Sequence, residues 1–178
     1  MIKMDFNMVT ESERLIFKKI TEQDFSELCK MLQNIEVMYA WEHAFNEEEV
    51  FDWMKKRMEA YDRVGYDYFL AVDKQTGEVV GQIGLLDEVI ENIHYAGLGY
   101  ILKKEFWNKG YATEGAKAML DYAFYILGKD EVITTIRPEN TASCKVARRI
   151  GMEKAGMFIK VYQGKEMPHL IYRKKKDA

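Results

Sequence analysis

The stretch IHYAGLGYILKKEFWNKGYATEGAKAMLDYAFYIL, residues 93–127, contains a strand, a loop and a long helix in succession. Its first part is rich in β-branched, aromatic and leucine residues up to Leu102 and predicts a strand. Its last part carries apolar residues at the intervals i, i+3, i+4, i+7, i+8 and i+11, which predicts an amphipathic helix. The residues of that apolar stripe are Ala116, Met119, Leu120, Ala123, Phe124 and Leu127.

The loop between them, residues 103–113, brings backbone N–H groups to the open N-terminus of the predicted helix. Such a terminus has unsatisfied donors and roughly half a positive charge, which suits an anionic phosphate group. Gly110 allows the main chain to approach a ligand closely, because it has no side chain. The stretch therefore predicts a strand–loop–helix unit that binds a pyrophosphate.

The composition is that of one folded domain, which we assign to residues 1–178. The net charge of -3 gives no general reason to expect nucleic acid as a partner. No apolar run approaches the roughly 20 residues of a membrane span, and no secretory signal pattern is present. Cys29 and Cys144 have no partners at metal-ligand spacing, which favours reduced thiols. We expect a soluble cytoplasmic protein without metal, nucleic acid or membrane partners.

The residues before the central stretch predict a strand, two helices and a hairpin. The strand is at residues 14–20, and the hairpin strands are at residues 68–72 and 78–86. Thr21 and Asn46 are the expected N-caps of the two helices. The inward residues are Phe25, Leu28, Leu32 and Ile35 in the first helix, and Val50, Met54, Met58 and Tyr61 in the second.

After the central stretch, Gly128 is the expected helix stop, and a strand follows at residues 132–136. Asn140 is the expected cap of a further helix that ends at Gly151, before a closing hairpin at residues 157–163 and 170–173. The whole order is β, α, α, β, β, β, α, β, α, β, β. This order predicts a mixed sheet with helices on its faces, in an α+β or α/β domain.

Two segments carry a family resemblance: GYILKKEFWNKGYATEG at residues 99–115 and IRPENTASCKVARRIGM at residues 136–152. In this order and at this distance they resemble the GNAT superfamily of N-acetyltransferases, and look most like its RimJ/RimL ribosomal-protein branch. The segment WEHAFNEEE at residues 41–49 and the chain length also fit that branch. The resemblance implies the GNAT fold, a mixed and mostly antiparallel sheet of about seven strands, splayed at the middle strand and flanked by about four helices.

The resemblance also implies acetyl-CoA as the donor, a primary amine as the acceptor, and direct transfer without an acyl-enzyme. In the pyrophosphate signature of the superfamily, Trp107 takes the first place, Gly110 the fourth and Ala112 the sixth. Trp107 departs from the usual Gln or Arg, although main-chain donors do the binding. The implied cofactor residues are Ile101 and Leu102 for the pantetheine arm, and Asn108, Lys109, Gly110, Tyr111, Ala112 and Thr113 for the pyrophosphate.

Asn140 and Ser143 match the family positions beside the cofactor, but Asn140 has a purely structural alternative as a helix cap. Several basic residues are candidates for the 3′-phosphate of CoA, and we favour Lys109 and Arg148 among them. The alternative for each is a solvated surface charge. The full set is Lys103, Lys104, Lys109, Lys145, Arg148 and Arg149.

The catalytic groups are less determined than the cofactor residues. Many relatives protonate the departing thiolate with a Tyr at the position of Ala147, so Ser143 is the remaining candidate acid. A simple hydrogen bond to cofactor or backbone is the alternative for Ser143. Tyr111 is a poorer candidate, because its place in the phosphate loop points it elsewhere.

For the general base, Gly97 stands where the branch often carries an acid, and Thr135 stands where some N-terminal acetylating relatives carry a Glu. The remaining candidates are Glu88 and His94, with Glu91, Glu42 and His43 behind them. A lysine-like amine with a pKa of about 10.4 costs roughly 4.6 kcal/mol to deprotonate at pH 7, whereas an α-amine near 8 costs about 1.4 kcal/mol. A site without a clear base therefore favours an α-amine acceptor.

The acceptor is expected to contact Trp41, Glu42, His43 and Phe45, although packing alone also explains Trp41 and Phe45. The acceptor itself is a protein N-terminus or a small amine, and the protein is a monomer or a homodimer. A second hypothesis is an acyl-CoA-binding domain without turnover, suggested by Ala147, Gly97 and Thr135. A dinucleotide fingerprint at Gly97-Leu98-Gly99 fails, since its third glycine position is Leu102 and no helix starts there.

Overall fold

The computed structural model describes residues 7–177, which form one eight-stranded sheet and four α-helices. The strands are β1 (Met8–Glu11), β2 (Leu15–Lys19), β3 (Tyr68–Asp73), β4 (Val79–Ile90), β5 (Ile93–Leu102), β6 (Glu131–Ile136), β7 (Glu153–Tyr162) and β8 (Lys165–Lys175). The helices are α1 (Phe25–Leu32), α2 (Glu47–Arg63), α3 (Tyr111–Asp121) and α4 (Thr141–Arg149). The α+β class and the four helices are confirmed, and the sheet has one strand more than the expected seven.

The sheet runs in the order β1-β2-β3-β4-β5-β6-β8-β7, and its neighbours are antiparallel except for β5 and β6. These two strands are parallel and pair at one position, Gly97 with Ile133. Along the rest of their length they diverge, so the sheet opens beside the second half of β5. This opening positions the site described below.

Helix α2 is fixed at both ends by side chains. At its start, Asn46 accepts a hydrogen bond from the Glu49 amide at 2.8 Å, and Glu49 accepts one from the Asn46 amide at 3.1 Å. This is the predicted capping arrangement. Near its end, the Tyr61 hydroxyl accepts from the Ile20 amide at 3.0 Å and donates to the Tyr68 carbonyl. Helix α2 is thereby joined to β3.

One predicted core residue is wrong. Helix α1 ends at Leu32, and Ile35 is 55% exposed rather than inward. The Asn34 side chain accepts a hydrogen bond from the Glu36 amide at 2.9 Å, a local bond that competes with helix continuation. The inward face of α1 is therefore shorter than its apolar pattern suggested.

Helix α3 packs closely on the sheet through the predicted stripe. Ala116 and Met119 on α3 are buried, as is Phe124 in the π-helical segment that continues it (Tyr122–Ile126). A Cβ added at Gly115 would lie 2.3 Å from the side chain of Ile83 on β4. Gly128, with φ +69°, terminates the helical segment as expected. The close contact holds the N-terminus of α3 next to the end of β5. Within residues 7–177, no helix is both long and apolar enough to cross a membrane.

Candidate active site

A cleft of about 780 Å³ opens where β5 and β6 diverge. One end is formed by the second half of β5, the loop before α3 and the N-terminal turns of α3 and α4. The other end is formed by side chains from α2, β3, β4, β7 and β8 and from residues 37–41. We call these the loop end and the side-chain end of the cleft.

The loop end is built from main-chain donors. Gly110 is the N-cap of α3 with φ +80° and provides no side-chain cap. Within the described part of the chain, the amides of Tyr111, Ala112 and Thr113 have no hydrogen-bond acceptor. These predicted cofactor residues line the cleft together with Ile101, Leu102, Asn108 and Gly110. The arrangement can receive an anion at the helix N-terminus.

An ion-pair network holds this loop from behind. The Arg14 guanidinium contacts the Glu114 carboxylate at 2.6 Å and donates to the Lys109 carbonyl at 3.0 Å. Glu114 also accepts from the Ser12 hydroxyl and the Arg14 amide, at 2.5 and 2.8 Å. Burial acts to raise the pKa of Glu114, but these hydrogen bonds outweigh it and hold the pKa below its ordinary value. The loop is thus braced by a charged carboxylate.

Two aromatic side chains of this region have structural partners. The indole N–H of Trp107 donates to the Leu102 carbonyl at 3.1 Å, so the residue that departs from the family signature links the loop to the end of β5. The Tyr111 hydroxyl donates to Asp73 at 2.7 Å, and the Arg14 guanidinium lies 4.1 Å from the centre of the Tyr111 ring. The Tyr111 hydroxyl is therefore engaged with Asp73.

At the start of α4, Asn140 accepts from the Ser143 amide at 3.2 Å, so its capping role is present in the structure. The Ser143 carbonyl accepts from the Tyr100 hydroxyl at 2.9 Å, and both Asn140 and Ser143 line the cleft. Ala147 is fully buried. The roles of Asn140 as a cofactor contact and of Ser143 as an acid stay predictions.

The basic residues that line the cleft are not the two that the sequence analysis favoured for the 3′-phosphate of CoA. Lys145 and Arg149, four residues apart on one face of α4, line the cleft. Lys109 and Arg148 do not line it. The Lys109 ammonium lies 5.7 Å from the centre of the Phe106 ring, and the Arg148 guanidinium donates to the Tyr172 hydroxyl at 3.3 Å. Helix periodicity alone could have separated Arg149 from Arg148 once the cleft-facing side of α4 was known.

The two favoured base candidates lie apart. Glu88 on β4 lines the cleft, with its side chain 14% exposed and the Lys160 ammonium 3.9 Å away. His94 contacts Asp87 at 2.9 Å and lines a separate groove of about 770 Å³ with Arg63, Lys129 and Lys175. Adjacent strand residues point to opposite faces, which separates Asp87 from Glu88.

The loop predicted to contact the acceptor contributes one of its four residues to the cleft, Trp41. Glu42, with φ +56°, pairs with Lys165 at 2.5 Å and with Arg137 at 3.6 Å, contacts that hold its pKa low. His43 contacts Glu49 at 2.7 Å. Phe45 is buried, with its ring 5.8 Å from that of Trp53. Packing is therefore the role that the structure gives to Phe45.

Sequence reasoning missed most of the side-chain end. The Arg57 guanidinium of α2 contacts the Asp67 carboxylate at 2.7 Å, and its central carbon lies 4.4 Å from the centre of the Trp53 ring. Burial raises the pKa of Asp67 to about 6, although the Arg57 charge opposes this. No local motif marks these positions, because only strand register and helix docking bring them together. The further lining residues missed here are Trp53, Arg57, Tyr68, Tyr100, Arg137, Lys160, Tyr162, Met167 and His169.

No group of three or more potential metal ligands (His, Cys, Asp or Glu) is found among residues 7–177.

The sequence profile of the family described as "Acetyltransferase (GNAT) domain" matches residues 14–153. A relative from Bacillus subtilis (strain 168), named "Uncharacterized N-acetyltransferase YnaD", is 27% identical over 150 residues, which cover 84% of this chain and 85% of that protein.

Solved structures of acetyltransferases superpose on this chain over most of its length. The acetyltransferase (GNAT family) from Bacillus anthracis superposes with a TM-score of 0.80 at 27% identity, over 93% of this chain and 96% of that chain. A RimL ribosomal L7/L12 α-N-protein acetyltransferase in complex with coenzyme A superposes with a TM-score of 0.75 at 18% identity, over 94% of this chain and 97% of that chain. At 18% identity, the similarity to RimL shows a shared fold.

Proposed function

Since the chain belongs to the GNAT family of acetyltransferases, we propose that it transfers the acetyl group of acetyl-CoA directly to a primary amine. The observation that carries this proposal is the set of unpaired amides at the N-terminus of α3, at the loop end of the cleft. A pyrophosphate is the anion that such a terminus suits best in an enzyme of this family.

The proposed cofactor path follows β5. With the pyrophosphate at residues 110–113, the pantetheine arm would pair with the open edge of β5 near Ile101 and Leu102, where β6 has diverged. Gly97 lies five residues before Leu102 on β5, a distance of about 16 Å at about 3.3 Å per residue. The acyl end would then lie over the middle of the sheet, between the two ends of the cleft.

The chemical step that we propose is attack of the neutral amine on the thioester carbonyl. Main-chain N–H groups of β5 would polarise that carbonyl. Ser143, at the cleft-lining start of α4, is the proposed donor to the departing thiolate. Its hydroxyl has no hydrogen-bond partner among the described residues, so it is available for this contact.

For the acceptor we propose a protein N-terminal α-amine or a small amine. The lower cost of deprotonating an α-amine supports this, as does the fold neighbour RimL, which is an α-N-protein acetyltransferase. The free thiols of Cys29 and Cys144 support a cytoplasmic setting.

Calorimetric titration with CoA tests the cofactor assignment first. We expect saturable binding with a dissociation constant in the micromolar range, and no binding at high micromolar CoA would refute the proposal. Mass spectrometry of reactions with acetyl-CoA and trialanine amide, spermidine or kanamycin then identifies an acetylated product. CoA binding with no acetylated product and no thiol release would favour the alternative, an acyl-CoA-binding domain that lacks turnover.

A further inference from the structure

Two glycines on β5 each make room for one polar side chain. A Cβ added at Gly97 would lie 2.9 Å from the Glu88 Cβ, and one added at Gly99 would lie 2.5 Å from the Tyr68 hydroxyl oxygen. Neither glycine has a left-handed φ, so backbone conformation does not require glycine at either position. Glycine in a strand interior is destabilising and often marks a close approach. Here the space that it leaves is filled by Glu88 and Tyr68.

Glu88 lacks a matched partner. It is the one carboxylate lining the cleft among residues 7–177, and no hydrogen bond to it is found in that range. Its contact with the Lys160 ammonium, at 3.9 Å, is long for an ion pair. A carboxylate that is only 14% exposed normally has a close cation or hydrogen-bond donors. The position therefore suits a cation that comes from outside the chain.

Tyr68 provides a second polar group at the same place. The residue is 5% exposed and lines the cleft, and its hydroxyl has no hydrogen-bond partner among the described residues. Burial raises the pKa of Tyr68, and the neighbouring Glu88 charge adds to that rise. The hydroxyl is therefore neutral at every working pH and can accept a hydrogen bond from an N–H group.

We propose that Glu88 and Tyr68, above Gly97 and Gly99, form the subsite that receives the ammonium group of the acceptor. This inference rests on the proposed function. The ammonium gives one proton to the Glu88 carboxylate. The neutral nitrogen attacks the thioester carbon, so that a C–N bond forms and the C–S bond breaks. Ser143 gives its hydroxyl proton to the departing sulfur and takes the second nitrogen proton in its place, giving CoA thiol and an amide, and Glu88 releases its proton to water.

The charges around Glu88 narrow the acceptor class. Glu88 is the one carboxylate in the cleft lining among residues 7–177, and three cationic side chains line the same end: Arg57, Arg137 and Lys160. Each of these cations already contacts a carboxylate, Arg57 that of Asp67, Arg137 that of Glu42 and Lys160 that of Glu88. The subsite therefore fits one ammonium group, because a second ammonium group of a polyamine would find no further carboxylate in the lining. Trialanine amide should be a better substrate than spermidine.

The decisive variant is Glu88→Gln, with Asp87→Asn as its matched control. Asp87 is the next residue of β4, pairs with His94 and lies outside the cleft. The assay uses the acceptor that the wild-type protein acetylates fastest among trialanine amide, spermidine and kanamycin. We expect Glu88→Gln to lower kcat/KM about 100-fold. CoA affinity should stay within twofold, and Asp87→Asn should resemble the wild type.

A second variant tests the role of the glycine. Gly97→Ala pushes the Glu88 side chain aside and should lower kcat with CoA affinity unchanged, and Tyr68→Phe should raise the KM of the acceptor several-fold. If the wild-type protein turns over and the kcat/KM of Glu88→Gln lies within threefold of the wild-type value, this inference is overturned and the proposed function stands. A wild-type protein that binds no CoA, or that acetylates none of the three acceptors, overturns both. Spermidine or kanamycin as the fastest acceptor would refute the single-ammonium class, because each carries several amines.

Discussion

The two ends of the cleft are built in different ways. The loop end comes mainly from one continuous segment, residues 101–113, with the first turn of α4 beside it, and presents main-chain amides at the start of α3. The side-chain end collects Trp53, Tyr68, Glu88 and His169 from three strands and a helix. One end therefore depends on local backbone geometry, and the other depends on how distant elements pack.

This difference has a functional consequence under the proposed activity. Main-chain donors suit the part of a substrate that never changes, since the pyrophosphate of CoA is the same in every reaction. Side chains can be exchanged without altering the backbone, so the acceptor end can vary while the cofactor end is kept. Substitutions at the loop end should alter CoA affinity and leave the acceptor KM unchanged.

The largest expected effect comes from Gly110→Ala. A side chain at φ +80° is strained by about 1 kcal/mol, and relief of the strain would tilt the amides of residues 111–113. CoA affinity should fall about tenfold or more in calorimetry. Gly128→Ala is the matched control, because Gly128 also has a positive φ, +69°, but lies outside the cleft. Equal CoA affinities in the two variants would contradict a main-chain anion site.

The next effect comes from Glu114→Gln, which removes the charge that braces the loop. Loss of this partly buried pair should lower the free energy of unfolding by about 1–3 kcal/mol and weaken CoA binding several-fold. Glu131→Gln is the control. The Glu131 carboxylate pairs with the Arg173 guanidinium at 3.2 Å, and neither residue lines the cleft. Urea unfolding of both variants measures the difference.

The same carboxylate gives a pH dependence. The folded-state pKa of Glu114 is below its ordinary 4.5, so its contribution to stability is present above pH 4.5 and is lost as pH falls through the folded pKa. Wild-type stability should therefore decline more steeply below pH 4.5 than that of Glu114→Gln. Parallel curves for the two proteins would show that the network does not stabilise the fold.

A smaller effect separates the two roles of Asn140. Asn140→Ala and Asn46→Ala each remove a helix cap and should each cost about 1 kcal/mol of unfolding free energy. Asn46 lies outside the cleft, whereas Asn140 lines it. If Asn140 also contacts the cofactor, only Asn140→Ala will weaken CoA binding. Unchanged CoA affinity in both variants would leave Asn140 with its capping role alone.

The smallest expected effect concerns the exposed cations. Arg149→Ala should weaken CoA relative to dephospho-CoA by about two- to fivefold, because one exposed ion pair contributes little. Arg148→Ala should leave that ratio unchanged, since Arg148 contacts Tyr172 and lies outside the cleft. A change in the ratio with Arg148→Ala alone would restore the preference drawn from the sequence.

The sequence by itself determined the features whose causes are local. Apolar periodicity predicted α3 and its buried stripe, Asn46 and Asn140 predicted two helix starts, and Gly110 predicted the turn that begins α3. Each of these depends on residues within one or two turns of chain. The family resemblance added the mixed sheet around them.

Only the tertiary structure decided which side chains meet in the cleft. Glu88 and His94 were equal candidates in the sequence, yet strand register sends one into the cleft and the other into a separate groove. Tyr68 reaches Gly99 across β4, and Lys160 reaches Glu88 from a hairpin at the far edge of the sheet. Such contacts depend on pairing between segments far apart in the chain, which no local pattern of residues encodes.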